Sequence, residues 1–383
     1  MFPRTLFSAE HEQFRDSVHR FFQDEAVPHH EQWEVDGQVS RDIWLKAGEQ
    51  GMLCPTVPEQ YGGVGTDYLY NTIVTEELGR LALSGMGFTL HSDIAVPYIL
   101  HYGTDEQKQR YLPRAVTGEL ITAIAMTEPG TGSDLQGIAT TAEDKGDHYL
   151  INGAKTFITN GIMSDLVIVV CRTDKDPEAG SRAFSLLLVE TGTEGFAKGK
   201  NLKKLGLKAQ DTAELFFNDV RVPKENLLGE EGQGLIYLMQ ELPQERLSLA
   251  AGAVASCEGV MSQTVDYVSE RKAFGKPIAA FQNTQFKLAD LDAELTAMRV
   301  FIDRCIELHI EGKLDAVGAS KAKLLSTELQ GRLVDECLQL HGGYGFMWEY
   351  PVARAYADAR VQRIYGGTSE VMKLIIGRAL LRG

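Results

Sequence analysis

The chain has 383 residues, 44% of them apolar and 24% charged, so it can bury more than one core and is not disordered as a whole. At roughly 150 residues per domain this length implies two or three domains and excludes a single small binding module. Its 38 Lys and Arg against 53 Asp and Glu leave a net charge of −15 with no basic stripe to follow a phosphate backbone, which argues against nucleic acid as a partner.

Met1 to Ser8 lacks the charged flank, apolar stretch and small-residue cleavage site of a secretory leader, so the expected location is the cytoplasm. Helical periodicity follows, with Phe14, Val18, Phe21 and Phe22 on one face and Ser8 and Glu10 as first-turn cap and dipole partner. His11-Glu12 is followed by Arg15 where a zinc-protease helix needs its second His, and His29-His30 has no companions at ligand spacing; no metal is expected. Residues 1–122 thus read as an N-terminal α-helical domain, interrupted by turns such as Pro55 to Gly65. Gly62-Gly63-Val64-Gly65 is a loop, without the Lys-Ser/Thr pair of a P-loop.

Residues 123–233 read as a middle β domain. Tyr149–Asn152, Leu166–Val170, Phe184–Val189 and Leu215–Val222 are short β-favouring runs between Gly, Asn and Asp. The longest apolar run, Leu166 to Cys171, is far short of the ~20 residues of a membrane span. Asn152-Gly153 and Asn160-Gly161 supply positive φ for tight turns, the second also able to close a strand. Residues 234–383 return to long helical patterns, expected to break at Pro243, Pro277 and Gly342-Gly343. The five cysteines form no C-x-x-C pair and read as buried thiols. No repeat with a period of 20 to 50 residues points to a solenoid.

The segment from Ile124 to Asp134 is rich in glycine, hydroxyl and turn-forming residues. Glycine lets backbone N–H groups approach a planar heterocycle or a phosphate, although the same composition also makes an ordinary turn. The order of motifs along the chain is more specific. Ala125–Asp134, Phe157-Ile158-Thr159-Asn160-Gly161, Arg271-Lys272-Ala273-Phe274-Gly275 with Gln282, Gln339-Leu340-His341-Gly342-Gly343 and Ile364-Tyr365-Gly366-Gly367-Thr368-Ser369-Glu370 resemble the signature blocks of the acyl-CoA dehydrogenases. The resemblance covers essentially the whole chain. It implies an α+β fold with an N-terminal helical domain, a middle β-barrel-like domain and a C-terminal four-helix bundle. Lys204–Leu215, Glu241–Leu247 and Met347–Pro351 most resemble the long-chain branch.

The family resemblance implies FAD, bound without a G-x-G-x-x-G fingerprint, which this chain lacks. It places Ile124, Ala125, Met126, Thr127, Gly132 and Ser133 on the flavin together with Phe157, Ile158 and Thr159. Phe157 takes the aromatic packing position, and Thr127 and Thr159 hydrogen-bond the ring. Arg271, Phe274 and Gln282, completed by Gln339, Leu340, His341, Gly342 and Gly343, would reach the pyrophosphate and adenosine half in a neighbouring subunit. Thr368, Ser369 and Glu370 add cofactor contacts from the last block. Read alone, Phe157 is a core aromatic and Arg271 a helix C-terminal cap. Sites that need two chains imply a homotetramer, a dimer of dimers.

Many members of the family carry their catalytic Glu immediately before the Gly-Thr of the last block, and here that position is Gly366. In the long-chain and isovaleryl branches the base lies instead on an earlier helix, which Leu242-Pro243-Gln244-Glu245-Arg246-Leu247 resembles. Helix statistics alone make Glu245 a solvated side chain paired with Arg; the missing Glu at 366 reverses that reading. By resemblance, Glu245 removes the pro-R α-proton of an acyl thioester while hydride leaves Cβ for flavin N5, giving a trans-2-enoyl-CoA and reduced FAD. The Gly366 N–H, with a ribityl hydroxyl, would hold the enolate-like oxygen, and Ser133, Pro243, Gln244, Arg246, Tyr365 and Gly367 would line the substrate site. Electrons would pass to electron-transferring flavoprotein. A base on the helix is expected to leave room near the reacting carbons for long or branched chains, citronellyl-type acyl-CoA included. The rival readings are an acyl-CoA-binding flavoprotein that does not oxidise its ligand, and an oxidase or monooxygenase. His91 reads as a packed histidine rather than a ligand.

Overall fold

Six helices open the chain in the computed structural model, which describes residues 3–382: α1 (Ala9–Glu25), α2 (Val27–Asp36), α3 (Arg41–Glu49), α4 (Tyr68–Arg80), α5 (Val96–Tyr102) and α6 (Asp105–Val116). Ser8 caps α1 in a reciprocal box: its Oγ accepts the His11 N–H, and its own N–H donates to His11 Nδ1 at 3.1 Å. A π-helical turn, Leu90–Ala95, precedes α5.

The middle strands are β1 (Thr122–Ala125), β2 (Thr141–Asp144), β3 (His148–Thr159), β4 (Leu166–Arg172), β5 (Phe184–Glu190), β6 (Phe196–Asn201), β7 (Thr212–Pro223) and β8 (Leu227–Leu228). Their order is β6-β7-β3-β2-β4-β5-β8, with β1 parallel to β4. β4 is buried on both faces, which is why its sequence is an unbroken apolar run. Leu166, Ile168 and Val170 pack into the core shared with the N-terminal helices, and Val167, Val169 and Cys171 into the core on the opposite face.

Two expectations are corrected here. Asn152-Gly153 is no turn: both residues lie inside β3, where the register against β7 slips between Ile151 and Gly153 in a bulge. Pro243 does not break its helix either; α7 runs from Gly234 to Glu270 through it. Asn160, with φ of 58°, does follow the end of β3 directly. β2 and β6 are largely polar and β1 has four residues, so none carries a strong local strand signal. β6 is an edge strand whose exposed Lys200 suits a rim, while Lys198 turns in to the Ile162 and Ser164 carbonyls.

After α7 come the small hairpin β9 (Lys272–Ala273) and β10 (Lys276–Pro277), then α8 (Gln282–Ile310), α9 (Ala316–His341), α10 (Pro351–Ala359) and α11 (Ser369–Arg382). α7, α8 and α9 share a core that includes Leu247, Val254, Leu295, Ile302 and Leu333. The N-terminal layer is locked onto it at α4. A Cβ on Gly79 would stand 2.6 Å from the Gly252 carbonyl oxygen, so glycine permits the close crossing of α4 and α7. Beside this crossing the buried Glu76 binds Arg299 of α8 at 2.7 Å, Arg4 at 2.8 Å and Arg15 at 2.9 Å. Burial alone would raise the Glu76 pKa, but the three guanidinium groups hold it far below the usual carboxylate range. All five cysteines are buried and unpaired. Among the described residues no helix is long and apolar enough to cross a membrane, and no cluster of three or more His, Cys, Asp or Glu could hold a metal ion.

Candidate active site

Glu245 sits two residues beyond Pro243 on the continuous helix α7. The proline has no N–H, so one main-chain bond is missing from that turn. Tertiary bonds compensate: Gln244 Nε2 donates to the Asp93 carbonyl at 2.7 Å, and Ser248 Oγ donates to Asp93 Oδ2 at 2.6 Å. These contacts flank Glu245 and fasten α7 to the π-helical turn. Asp93 is itself fully enclosed, its carboxylate also accepting from Asn71 at 2.6 Å and Thr75 at 3.1 Å.

The Glu245 side chain is half-buried as a whole, but its Oε2 is out of reach of solvent and has no hydrogen-bond partner. Burial pushes its pKa up to about 7, against the opposing pull of Arg246 and Lys323. A carboxyl group poised near neutrality in a cleft is suited to taking a proton from carbon.

The last signature block comes to meet it. Arg246 Nε donates to the Gly366 carbonyl at 3.4 Å, and Lys323 Nζ of α9 donates to the Gly367 carbonyl at 2.6 Å. Gly366 and Gly367 have φ of 61° and 97°, a conformation that strains any residue with a Cβ. A Cβ added at Gly366 would lie 3.6 Å from Glu245 Oε1 and would overlap Leu249 Cδ1. Positions 245 and 366 therefore address the same point in space. In this structure the end of the Leu249 side chain lies at that point.

A second group forms around the glycine-rich loop. Thr156 N–H donates to the Thr127 carbonyl at 2.9 Å. Beneath it, the enclosed Lys155 Nζ donates to Glu128 Oε1 at 2.8 Å and to the Met126 carbonyl at 3.0 Å. Burial would raise the Glu128 pKa, but Lys155 and the N–H groups of Thr140 and Ala139 hold it below the usual range. Glu128 and Lys155 thus pin the loop to β3. Lys155→Ala, which leaves that buried carboxylate without its countercharge, is expected to cost about 3 kcal/mol; urea unfolding and flavin content measure it.

A further register slip in β3, between Lys155 and Ile158, throws Phe157 out with φ of 59° and 69% exposure. An apolar ring held in strained backbone and left uncovered is not the core aromatic that the residue read alone would be. Gly132 and Ser133 are exposed, and Met126, Thr127 and Thr159 half-buried. Ala125 has no accessible surface, and Ile124 and Ile158 keep 8% and 3%. Ala125 is therefore packing beneath the loop rather than a cofactor contact, a correction to the expected set.

The third group is a cavity of about 580 Å³ lined by Arg271, Gln339, Leu340, His341, Gly342 and Gly343, among others. Arg271 is the C-terminal cap residue of α7, and its exposed guanidinium lies 5.4 Å from the centre of the Tyr344 ring. His341 stacks on Tyr267 at 4.3 Å, and nothing lies within 4 Å of a Cβ position at Gly342 or Gly343. Open backbone beside a free guanidinium fits a pyrophosphate. Phe274, 96% exposed, and Gln282, at the exposed start of α8, do not line this cavity. Thr368 caps α11 by accepting the Val371 N–H at 3.2 Å, Ser369 Oγ donates to Glu328 at 2.6 Å, and Glu370 is exposed in the first turn. Tyr365 is half-buried next to Gly366.

Sequence reasoning missed Lys323 and the Glu128–Lys155 pair. The available signal for Lys323 was a lysine on the apolar stripe of Ala319, Ala322, Leu329 and Leu333. His91 is a packed residue: Nδ1 meets Thr122 Oγ1 at 2.8 Å, Nε2 meets the Ala115 carbonyl at 3.0 Å, and burial lowers its pKa to about 4.

Comparison with known proteins places the chain in a family. Profiles of the acyl-CoA dehydrogenase N-terminal, middle and C-terminal domains match residues 8–119, 123–220 and 232–381. The mouse mitochondrial long-chain specific acyl-CoA dehydrogenase is 53% identical over 99% of this chain and 88% of its own. The crystal structure of an acyl-CoA dehydrogenase from Geobacillus kaustophilus superposes with a TM-score of 0.97 at 51% identity, covering 99% of this chain and 100% of that one. An acyl-CoA dehydrogenase from Bacillus anthracis, solved with FAD, gives 0.93 at 35% identity, covering 100% of this chain and 69% of that one. The chain belongs to the acyl-CoA dehydrogenase family, FAD-dependent oxidoreductases acting on CH–CH groups.

Proposed function

We propose that this protein oxidises long-chain acyl-CoA thioesters to trans-2-enoyl-CoA with Glu245 as the base and passes the electrons to electron-transferring flavoprotein. The carrying observation is the Glu245 carboxylate: an enclosed, unpartnered oxygen beside the left-handed Gly366, its pKa raised to about 7 by burial. Glu245 accepts the α-proton, and the Gly366 N–H donates a hydrogen bond to the thioester oxygen on which negative charge develops. Bound FAD supplies the two-electron acceptor for the Cβ hydride. Arg246 and Lys323 hold the Gly366–Gly367 backbone in place through its carbonyls. Phe157 and the loop through Ser133 form the flavin-facing wall.

About 39 Å of helix separates Glu245 from Arg271 at 1.5 Å per residue, farther than one dinucleotide reaches. The Arg271 cavity is therefore assigned to the FAD of a neighbouring chain, which supports an assembly of at least two chains, as a dimer of dimers contains. The long-chain preference rests on the 53% identity to the mouse enzyme. Anaerobic titration of the holoenzyme with straight and methyl-branched acyl-CoA of increasing length tests it. Long straight chains are expected to bleach the flavin at the lowest concentrations. A preference for branched thioesters would transfer the assignment to a citronellyl-type substrate, and binding without bleaching would make the protein a non-oxidising acyl-CoA carrier.

A further inference from the structure

We propose that the Tyr98 hydroxyl is the hydrogen-bond donor that holds Glu245 in its ionised, substrate-facing state, a positioning role that rests on Glu245 being the base. α5 and α7 already make one such contact: Tyr102 Oη lies 2.8 Å from Glu241 Oε1. One turn back along α5 is Tyr98, and one turn on along α7 is Glu245. Residues four apart share a helix face, and the Tyr98 and Tyr102 rings are 6.2 Å apart. Stepping back on one helix while stepping forward on the other keeps antiparallel register, which puts Tyr98 on the side of α5 towards Glu245; no hydrogen bond joins the two side chains in this structure.

At the first position the bond is made. At the second, Tyr98 Oη and Glu245 Oε2 are both buried and both without a partner. One is a donor and the other an acceptor, and leaving such groups unpaired is unfavourable. Their adjacency is also felt electrostatically: after burial, the Glu245 charge is the strongest influence keeping the Tyr98 phenol protonated, well above its ordinary pKa of 10. The phenol therefore remains a donor across the working range.

The other charged or titratable groups around Glu245 are accounted for. Arg246, on the same helix, and Lys323, on α9, direct donors to the carbonyls of Gly366 and Gly367. Tyr365 approaches from the loop before α11. Glu241 is engaged by Tyr102 and by His101 at 2.8 Å, and Asp93 of the π-helical turn is bound by Asn71, Thr75 and Ser248.

Tyr98→Phe removes the oxygen alone and is tested in the FAD-loaded enzyme by the pH dependence of kcat/KM with a long-chain acyl-CoA. The rising limb should lie about one unit higher than in the unaltered enzyme. Activity should then fall about tenfold below the limb and return to within about twofold two units above it. Tyr102→Phe should leave the limb in place. A limb that does not move in Tyr98→Phe, or a loss equal at every pH, overturns the proposal. If Tyr98→Phe does not retain FAD, 3-fluorotyrosine at position 98 keeps ring and hydroxyl while sharpening the donor, and should move the limb down; no movement overturns the proposal equally. Glu245→Gln is measured alongside. If it still oxidises acyl-CoA, the assignment of the base fails; if it is inactive while the Tyr98 limb stays put, the positioning role alone fails.

Discussion

Glu245→Gln is expected to lower kcat for acyl-CoA oxidation by about 10²–10⁴-fold, the usual worth of a positioned general base, with FAD content unchanged. Gln has nearly the same shape and cannot accept the proton. The same substitution should alter stability in a pH-dependent way. Burial raises the Glu245 pKa from 4.5 to about 7, so the folded protein favours the protonated acid. This group's contribution to stability is full below about pH 4.5 and is lost as pH rises through about 7. At pH 8 the native chain carries an ionised carboxylate in a site that disfavours it, whereas Gln stays neutral. Glu245→Gln should therefore be more stable than the native protein by about 1–3 kcal/mol at pH 8 and nearly equal at pH 5, as read from urea unfolding. Reduced activity with increased stability is the signature of a residue kept for chemistry.

Moving the carboxylate to position 366 should recover part of the activity. A Cβ there would stand 3.6 Å from Glu245 Oε1, so a side chain from either position reaches the same volume. Leu249 obstructs the path, and the φ of 61° at Gly366 costs any larger residue about 1–2 kcal/mol. The comparison is therefore Glu245→Ala/Leu249→Ala/Gly366→Glu against Glu245→Ala/Leu249→Ala. The former is expected to be at least about tenfold more active, since base catalysis is worth about 10²–10⁴-fold and imperfect alignment forfeits part of it. Equal rates with full FAD content would mean that the two positions do not serve one reacting carbon.

What was legible in the sequence follows from how local each signal is. The α1 cap needs only Ser8 and its own first turn, and the apolar run of β4 states that both faces are covered. The end of α9 at Gly342 is marked by glycine itself. Pro243 was misread because the bonds that carry α7 through it come from Asp93, about 150 residues away in sequence. Asn152-Gly153 was misread because a bulge and a turn use the same dipeptide, and only the pairing with β7 decides between them. Glu245 as the candidate base was nameable through the absence at Gly366 together with the resemblance of its helix. Lys323 and Tyr98 were not, because a buried lysine and a buried tyrosine look like any interior residue until their neighbours are placed. The separation of Arg271 from Glu245 needed the uninterrupted length of α7.

The central claim, proton removal by Glu245, is isolated from oxidation by a thioester that carries sulfur in place of its third carbon and deuterium at the α position, so that no β-hydride can leave. With the FAD-loaded native protein, α-deuterium should wash out into water, and in Glu245→Gln washout should slow by at least about 10²-fold while the analogue still binds. Equal washout from the two proteins would assign the proton to another group and contradict the account.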